Sequence, residues 1–473
     1  MNIEQFKKEA HQMVDWMAEY FESVEKYPVK AKVKPGDIKA QLPKEAPEKG
    51  ESFETIMEDF ERIIMPGMTH WHSPNFYAYF PGNKSRSSVI GEMLTTALGA
   101  QCMSWITSPS AAELEETVME WLRDILGLPK HFTGVIQDTA STATLCAILS
   151  ARENLTDFSI NEHGFSTGDK FTVYSSEHVH SSIDKAVRIA GIGSANLRKV
   201  PVDQEFAMIP DELERMIEQD IKDGFKPLCV VSAVGTTSTT AIDPVKAISH
   251  IAIKYKLWHH VDAAYAGTAL MLPEMRWMAE GVEMADSFVV NPHKWMFTNF
   301  DCTAYFVKDT KALINTFSMT PEYLKTAEDQ KVNNYRDWGI QLGRRFRALK
   351  LWFVIRDFGI NGMQEKLRNH LELASWFKDQ LMKRPDFEVL APVHLNLICF
   401  RYVPDGEDDL NSLNQKLMDS LNESGKMFLS HTVLNDKYTL RIVFGNTDVE
   451  RRHVESTWDF IQKTAQQLTE AIT

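Results

Sequence analysis

Apolar positions follow two rhythms along this chain. In residues 3–25, Phe6, Met13, Trp16, Met17, Tyr20 and Phe21 recur at helical spacing, which predicts an amphipathic helix with a heavy apolar face. Residues 28–50 hold Pro28, Pro35, Pro43 and Pro47 among many Lys and Glu, so they read as an extended connector. A second helix is expected at 52–65, ended by Pro66-Gly67. An arm of this kind cannot bury its aromatic face alone. It packs either on a partner subunit or on the chain's own body.

From about residue 86 the rhythm becomes regular. Ser110-Ala-Ala-Glu113 reads as a capping box opening a helix that presents Leu114, Val118, Trp121, Leu122 and Ile125 and ends at Gly127. Short apolar runs then alternate with helical stretches. Strands are expected at 134–137, 171–175, 197–201, 228–234, 257–262, 287–290 and 303–307, and helices at 181–190, 209–223, 244–255 and 273–284. Buried β-rich runs alternating with helices predict an α/β fold with a mostly parallel sheet covered on both faces.

A long helix is expected from Leu342 to Phe358, with Gly359 and Gly362 marking a boundary. Beyond it, helices at 363–383, 408–424 and 447–471 and strands at 387–391, 395–403, 426–434 and 438–444 make a small α+β domain. The expected division is a helical arm over 1–85, a large α/β domain over 86–360 and a small α+β domain over 361–473.

Composition narrows the partners. A formal charge of −14 argues against nucleic acid, because phosphate binding needs a basic face. The five cysteines are scattered without a C-x-x-C pair, which fits a reduced, cytoplasmic protein better than a disulfide framework or a zinc site. No metal is expected. The N-terminus has no apolar signal region, and no apolar run approaches the ~20 residues that span a bilayer.

Candidate chemistry gathers at expected strand ends, the edge where open α/β sheets bind ligands. Phe288 to Val290 is stopped by Asn291-Pro292, which delivers His293 and Lys294. Partial desolvation there favours the neutral, nucleophilic amine, although a lone loop lysine is more often solvated. Asp262 ends another strand, followed by the small residues Ala263, Ala264, Ala266 and Gly267; it is either an N-cap or a carboxylate needing a cation. Thr139, Ser141 and Thr142 bring hydroxyls to a helix start, suiting a single phosphate or ordinary capping. Gly235-Thr-Thr-Ser-Thr-Thr240 is a second hydroxyl loop or a polar turn, and His180 follows the strand at 171–175. There is no G-x-G-x-x-G and no Walker lysine. Taken together, a phosphate cradle, a carboxylate, an imidazole and a lysine match pyridoxal 5'-phosphate.

Asn291-Pro-His-Lys-Trp295, His260-Val-Asp-Ala-Ala-Tyr-Ala-Gly267, Leu342-Gly-Arg-Arg-Phe-Arg-Ala-Leu-Lys350, His70-Trp-His-Ser-Pro74 and Tyr77-Ala-Tyr-Phe-Pro81 resemble the aromatic L-amino acid decarboxylases. The resemblance implies a fold type I, pyridoxal-phosphate-dependent homodimer with the N-terminal arm packed across the dimer and the active site at the subunit interface. It implies Lys294 as the Schiff-base lysine, Asp262 as the partner of the pyridinium nitrogen and His180 as the ring stacked on the cofactor. Thr139, Ala140, Ser141, Thr237, Asn291 and His293 would surround the phosphate, and Ala264 would lie under the ring. Tyr323 matches the loop tyrosine that protonates the substrate carbon.

Trp71, Tyr79, Phe80, Pro81, Gly82 and Met103 fall at substrate positions. Gly82 stands where the animal DOPA decarboxylases carry a threonine, and Met103 where an aromatic residue is usual, so tryptophan, tyrosine, phenylalanine and DOPA all remain open. His180 and Tyr323 favour amine plus CO2 over the aldehyde of the aromatic acetaldehyde synthases. A glutamate or histidine decarboxylase is a further alternative; for a glutamate enzyme, residues 71–81 and their flank offer only His70 and His72 as cations.

Overall fold

The computed structural model describes residues 1–319 and 331–470. They fall into two compact units: Met1–Pro81 with Glu372–Leu390 and Ile398–Thr473, and Gly82–Leu371 with Ala391–Leu397.

The larger unit holds a seven-stranded sheet: β1 (Thr133–Gln137), β2 (Phe171–Ser176), β3 (Leu197–Val200), β4 (Lys226–Ala233), β5 (Trp258–Asp262), β6 (Ser287–Val290) and β7 (Thr303–Val307). Their order is β1-β7-β6-β5-β4-β2-β3. The run β6-β5-β4-β2-β3 is parallel, while β7 lies antiparallel to both β1 and β6. Parallel neighbours need crossovers. Helices Ser182–Ile189, Pro210–Lys222 and Val245–Tyr255 provide them between β2 and β3, β3 and β4, and β4 and β5.

Successive side chains point to opposite faces, and both faces are covered. Val173, Cys229 and Val231 pack with Ile148 and Val187 on one side. Tyr174, Val200 and Val230 pack with Leu213, Ile217 and Ile248 on the other. Each such side chain contributes ~1.5–3 kcal/mol on burial, which is why these strands read as continuous apolar runs.

Three local expectations are corrected. The helix expected at 273–284 is instead the 3₁₀ stretches Pro273–Ala279 and Val282–Met284. Gly281 between them has φ +93°, and a Cβ there would stand 2.4 Å from Lys246 Cα, so the chain turns tightly against the neighbouring helix. The helix expected to open at Ser110 runs Pro109–Ile125 with Ser108 as N-cap, because Pro109 is pre-set for the first helical position. The boundary expected at Gly359, by contrast, is present: Gly359, at φ 62° and ψ 169°, is non-helical and divides the stretch Arg347–Met382 into two helices across a kink. The arm helix expected over 52–65 stops being α-helical at Asp59 and continues as a π-helical turn, Phe60–Ile64.

The smaller unit has a four-stranded sheet ordered β10-β11-β9-β8, from β8 (Phe387–Val389), β9 (Leu397–Tyr402), β10 (Ser430–Leu434) and β11 (Lys437–Val443). Asn435 and Asp436, both at positive φ, make the tight turn between β10 and β11. Its arm helix Ile3–Ser23 packs Trp16 edge-on against Phe60, with ring centroids 5.4 Å apart. Arg452 ties Glu25 to the C-terminal helix at 2.7 Å. Ile3, Phe6 and Val14 stay exposed. No described helix is long and apolar enough to cross a membrane.

Candidate active site

The end of β6 builds the lysine turn. Asn291 N–H donates to Ala264 C=O at 2.9 Å, extending the β5–β6 pairing beyond the strands. Pro292 then starts a single helical turn, Pro292–Trp295. Trp295 anchors that turn: it is fully buried, stacks on Tyr265 at 5.1 Å and donates Nε1–H to His370 Nδ1 at 2.9 Å. The turn therefore fixes the direction of Lys294. Burial lowers the Lys294 pKa below its ordinary value, and the charge of Asp262 opposes that shift. A lowered pKa gives the amine a larger neutral, nucleophilic fraction.

Asp262 closes β5 and is buried, with Oδ1 accepting from Ala264 N–H at 3.0 Å. It caps the following turn and still presents its charge to Lys294 and His180. Behind it, His260 lies between Ser287 Oγ at 2.9 Å and Thr144 Oγ1 at 3.3 Å, and burial lowers its pKa to about 4. His260 is thus neutral and cannot serve as the cationic partner of Asp262.

His180 follows β2 and remains open to solvent. Ser182 N–H donates to its Nδ1 at 3.1 Å, so in the neutral ring Nε2 carries the proton. Its pKa is lowered first by partial burial and then by Lys294, while Asp262 opposes.

His293 is tied from both sides. Cys302 N–H donates to its Nδ1 at 3.0 Å, and Asn83 N–H to its carbonyl at 3.1 Å. Burial lowers its pKa to about 3, with Lys294 adding to the shift, so His293 too is neutral with Nε2–H as a donor.

The hydroxyl loops flank this group. Thr139 caps the helix Ala140–Leu155, and the first N–H groups of such a helix lack intrahelical acceptors. Asp138 fixes the loop by accepting from Thr139 N–H at 2.5 Å and Gln341 Nε2 at 2.7 Å. Burial acts to raise the Asp138 pKa, but these bonds and one from Thr142 outweigh it and hold the carboxyl below its ordinary value. Gly235 has φ +87°, and a Cβ there would stand 2.5 Å from Ala266 Cβ, so only glycine allows the second loop to pass this close. Thr236 and Thr239 brace that loop at 3.1 Å, and Thr237 sits half-buried at its tip.

One side chain that the sequence did not single out joins the two halves. Thr303 Oγ1, on β7, lies 2.8 Å from Asn291 Oδ1 and 3.1 Å from the Asp138 carbonyl. A hydroxyl in an otherwise apolar strand buried on both faces is the signal that could have found it.

Among the expected substrate residues, Gly82 precedes Asn83 and its bond to His293, and the Met103 carbonyl accepts from Arg336 N–H at 2.7 Å. Trp71, Tyr79, Phe80 and Pro81 belong to the smaller unit. There Trp71 stacks on Phe76 at 4.4 Å and on Tyr79 at 5.8 Å, and Arg441 lies over Phe80 at 5.6 Å. Tyr323 lies outside the described residues. His70, one of the two candidate cations near residues 71–81, is buried, 2.8 Å from Tyr20 Oη through Nδ1, with its pKa lowered by burial. Among the described residues no group of His, Cys, Asp and Glu is placed to hold a metal ion.

A family model for the pyridoxal-dependent decarboxylase conserved domain matches residues 35–403. Tyrosine decarboxylase 4 of Petroselinum crispum is 42% identical over 98% of this chain and 94% of its own. Phenylacetaldehyde synthase of Arabidopsis thaliana is 42% identical over 99% of this chain and 97% of its own. The crystal structure of Catharanthus roseus tryptophan decarboxylase in complex with L-tryptophan aligns with a TM-score of 0.93 and 40% identity, covering 99% of each chain. The match reaches across both units and every strand end described above, and by it this chain belongs to the pyridoxal-dependent decarboxylase family.

Proposed function

We propose that this enzyme decarboxylates an aromatic L-amino acid to the corresponding arylalkylamine and CO2, with pyridoxal 5'-phosphate as cofactor. The carrying observation is Lys294, its pKa lowered by burial, facing the charge of Asp262 across the parallel strand ends of β5 and β6. Aromatic substrates are supported by the relatives, whose names cover tyrosine, tryptophan and phenylacetaldehyde chemistry.

The donor set suits the cofactor. Thr139, Ala140, Ser141, Thr237, Asn291 and His293 would hold its phosphate, Ala264 would lie under the ring and His180 over it. When bound, pyridoxal phosphate supplies the electron sink for the pair left by departing CO2. Lys294 contributes a neutral amine that can anchor the cofactor and yield its place to the substrate amine. Asp262 would hold a proton on the ring nitrogen, for which a buried carboxylate with no protonated histidine behind it is well suited. Tyr323 would return a proton to the substrate α-carbon. Trp71, Tyr79, Phe80, Pro81, Gly82 and Met103 would contact the aromatic side chain.

The aldehyde-forming outcome of the synthase relative is the second reading. His180 and Tyr323 carry the decarboxylase residue types, which favours the amine. A homodimer in the cytoplasm, built from an arm over 1–85 and domains over 86–360 and 361–473, completes the proposal.

The test is purified holoenzyme given tryptophan, tyrosine, phenylalanine and DOPA separately, with amine, aldehyde and peroxide all quantified. Amine and CO2 in equal amounts support the proposal; aldehyde with peroxide as the main products, or no turnover of any of the four, refute it.

A further inference from the structure

The N-terminal arm carries a cavity of about 300 Å³ that the reaction does not use, lined by Trp16, Glu19, Tyr20, Tyr27, Glu61 and Met65. That volume lies at the lower end of small-ligand sites. Trp16 and Tyr20 lie one helical turn apart and stack with centroids 5.4 Å apart and planes 4° from parallel. Tyr27 meets Tyr20 at 5.8 Å and 52°, which gives the cavity a second aromatic surface at an angle to the first.

The charged groups that line it are of one sign. Glu61 accepts from Trp16 Nε1–H at 3.1 Å, and Glu19 adds a second carboxylate from the arm helix. Glu61 reaches this position from the π-helical turn Phe60–Ile64, in which Met65 N–H bonds to Phe60 C=O. Such turns are rare and concentrate at functional sites. Beside it, His70 is kept neutral by burial and adds no opposing charge. Two cations on neighbouring turns have partners: Arg62 pairs with Asp59 at 2.5 Å, and Lys8 faces Glu54 at 4.0 Å.

We infer that this aromatic, doubly acidic cavity binds a small arylalkyl ammonium ion, its ring against the Trp16–Tyr20–Tyr27 surfaces and its charge toward Glu19 and Glu61. Two carboxylates repel an anion. A neutral apolar ligand would leave both acids, which are exposed to solvent at the cavity, without a counter-charge. An organic cation answers both requirements, because aromatic faces and carboxylates each attract it. The choice of an arylalkyl cation rests on the proposed product of the enzyme, whereas the preference for an organic cation rests only on the geometry of the arm.

The test uses holoenzyme reduced with borohydride, so that Lys294 cannot react with an added amine. Titration calorimetry with 2-phenylethylamine at neutral pH should give saturable binding, with 2-phenylethanol failing to compete. Glu61→Gln and Trp16→Leu should each weaken binding by about tenfold or more, while the conservative Trp16→Phe stays within about threefold of the unaltered protein. Absence of saturable binding by the reduced unaltered enzyme overturns the inference, as does equal affinity across all four proteins. Failure of the decarboxylase reading would appear separately, as no amine formed by the unreduced enzyme.

Discussion

Glu115 and Arg344 meet through two contacts inside the larger unit, Nη2 to Oε1 at 2.6 Å and Nη1 to Oε2 at 3.1 Å. The pair does more than neutralise charge. β1 lies at the edge of the sheet, paired only with β7. Ile136 N–H donates to Glu115 Oε1 at 2.8 Å, and the Ile136 carbonyl accepts from Arg344 Nη2 at 2.7 Å. Two side chains thus supply the hydrogen bonds a further strand would have made.

Glu115→Ala should therefore destabilise the enzyme by ~3–5 kcal/mol, the usual cost of stranding one partner of a buried pair. The double variant Glu115→Leu with Arg344→Met removes both charges but leaves Ile136 N–H and C=O unmet, at ~1–3 kcal/mol for each group. Urea unfolding should find the double variant still well below the unaltered protein. Complete recovery would reduce the pair to simple charge neutralisation.

That pair also marks where sequence reading stops. Strands such as Ser287–Val290 and Leu228–Val231 were legible because a strand buried on both faces must be apolar throughout. The positions of Lys294, Asp262, His180 and Thr139 were legible because each follows such a run. Glu115, by contrast, is one acid among several on its helix, and its partner lies 229 residues away. The 3₁₀ stretches at 273–284 have helical composition; what breaks them is Gly281 pressed against Lys246, a contact made only by the folded chain. Thr303 looks like an ordinary strand residue until β7 inserts between β1 and β6 and brings Asp138 and Asn291 to its two sides.

Asp262→Asn separates the charge of that residue from its fold. The amide oxygen can still accept from Ala264 N–H, so the turn after β5 persists. The negative charge that faces Lys294, and that is proposed to face the cofactor nitrogen, is lost. We expect a folded protein whose kcat falls by roughly 10²–10³-fold, the scale seen when a preorganised electrostatic partner is removed. Cofactor affinity, followed by absorbance, should fall with it. Near-normal turnover would remove Asp262 from the chemistry.

Acid should destabilise the protein well before its carboxylates protonate. Burial lowers His259 to about 3, His260 to about 4 and His293 to about 3, against 6.5 for an exposed imidazole. Between about pH 6.5 and 5 the unfolded chain binds these protons and the folded chain does not. Asp243 works the other way: burial raises it to about 7, so folding takes up one proton there. For these four groups the net uptake on unfolding rises from about one proton at pH 6.5 to about two at pH 5, so the loss of stability should steepen from ~1 to ~2.5 kcal/mol per pH unit across that window. Urea midpoints measured at intervals from pH 6.5 to 5 check the slope. A flat or rising profile would contradict the buried neutral histidines.

Tyr323→Phe removes the hydroxyl proposed to return a proton to the substrate carbon. Without that donor, the carbon stays reactive toward oxygen. Amine yield should fall and aldehyde, ammonia and peroxide should rise together in equal amounts. An unchanged amine yield with no peroxide would assign the proton to another group.

Gly82→Thr probes the substrate. Gly82 is not among the described glycines with positive φ, so no left-handed backbone opposes a side chain there. It adjoins Asn83, which is bonded to the His293 carbonyl, so residue 82 is one step along the chain from the turn proposed to hold the cofactor. A hydroxyl that finds a ring hydroxyl of the substrate contributes ~0.5–1.5 kcal/mol, or about two- to tenfold in relative kcat/KM. The gain should go to DOPA and tyrosine over phenylalanine, and the added bulk should fall hardest on the larger indole of tryptophan. Competition assays with paired substrates read the ratio directly. A uniform loss across all four amino acids would mean that residue 82 shapes the fold of the loop and not the choice of substrate.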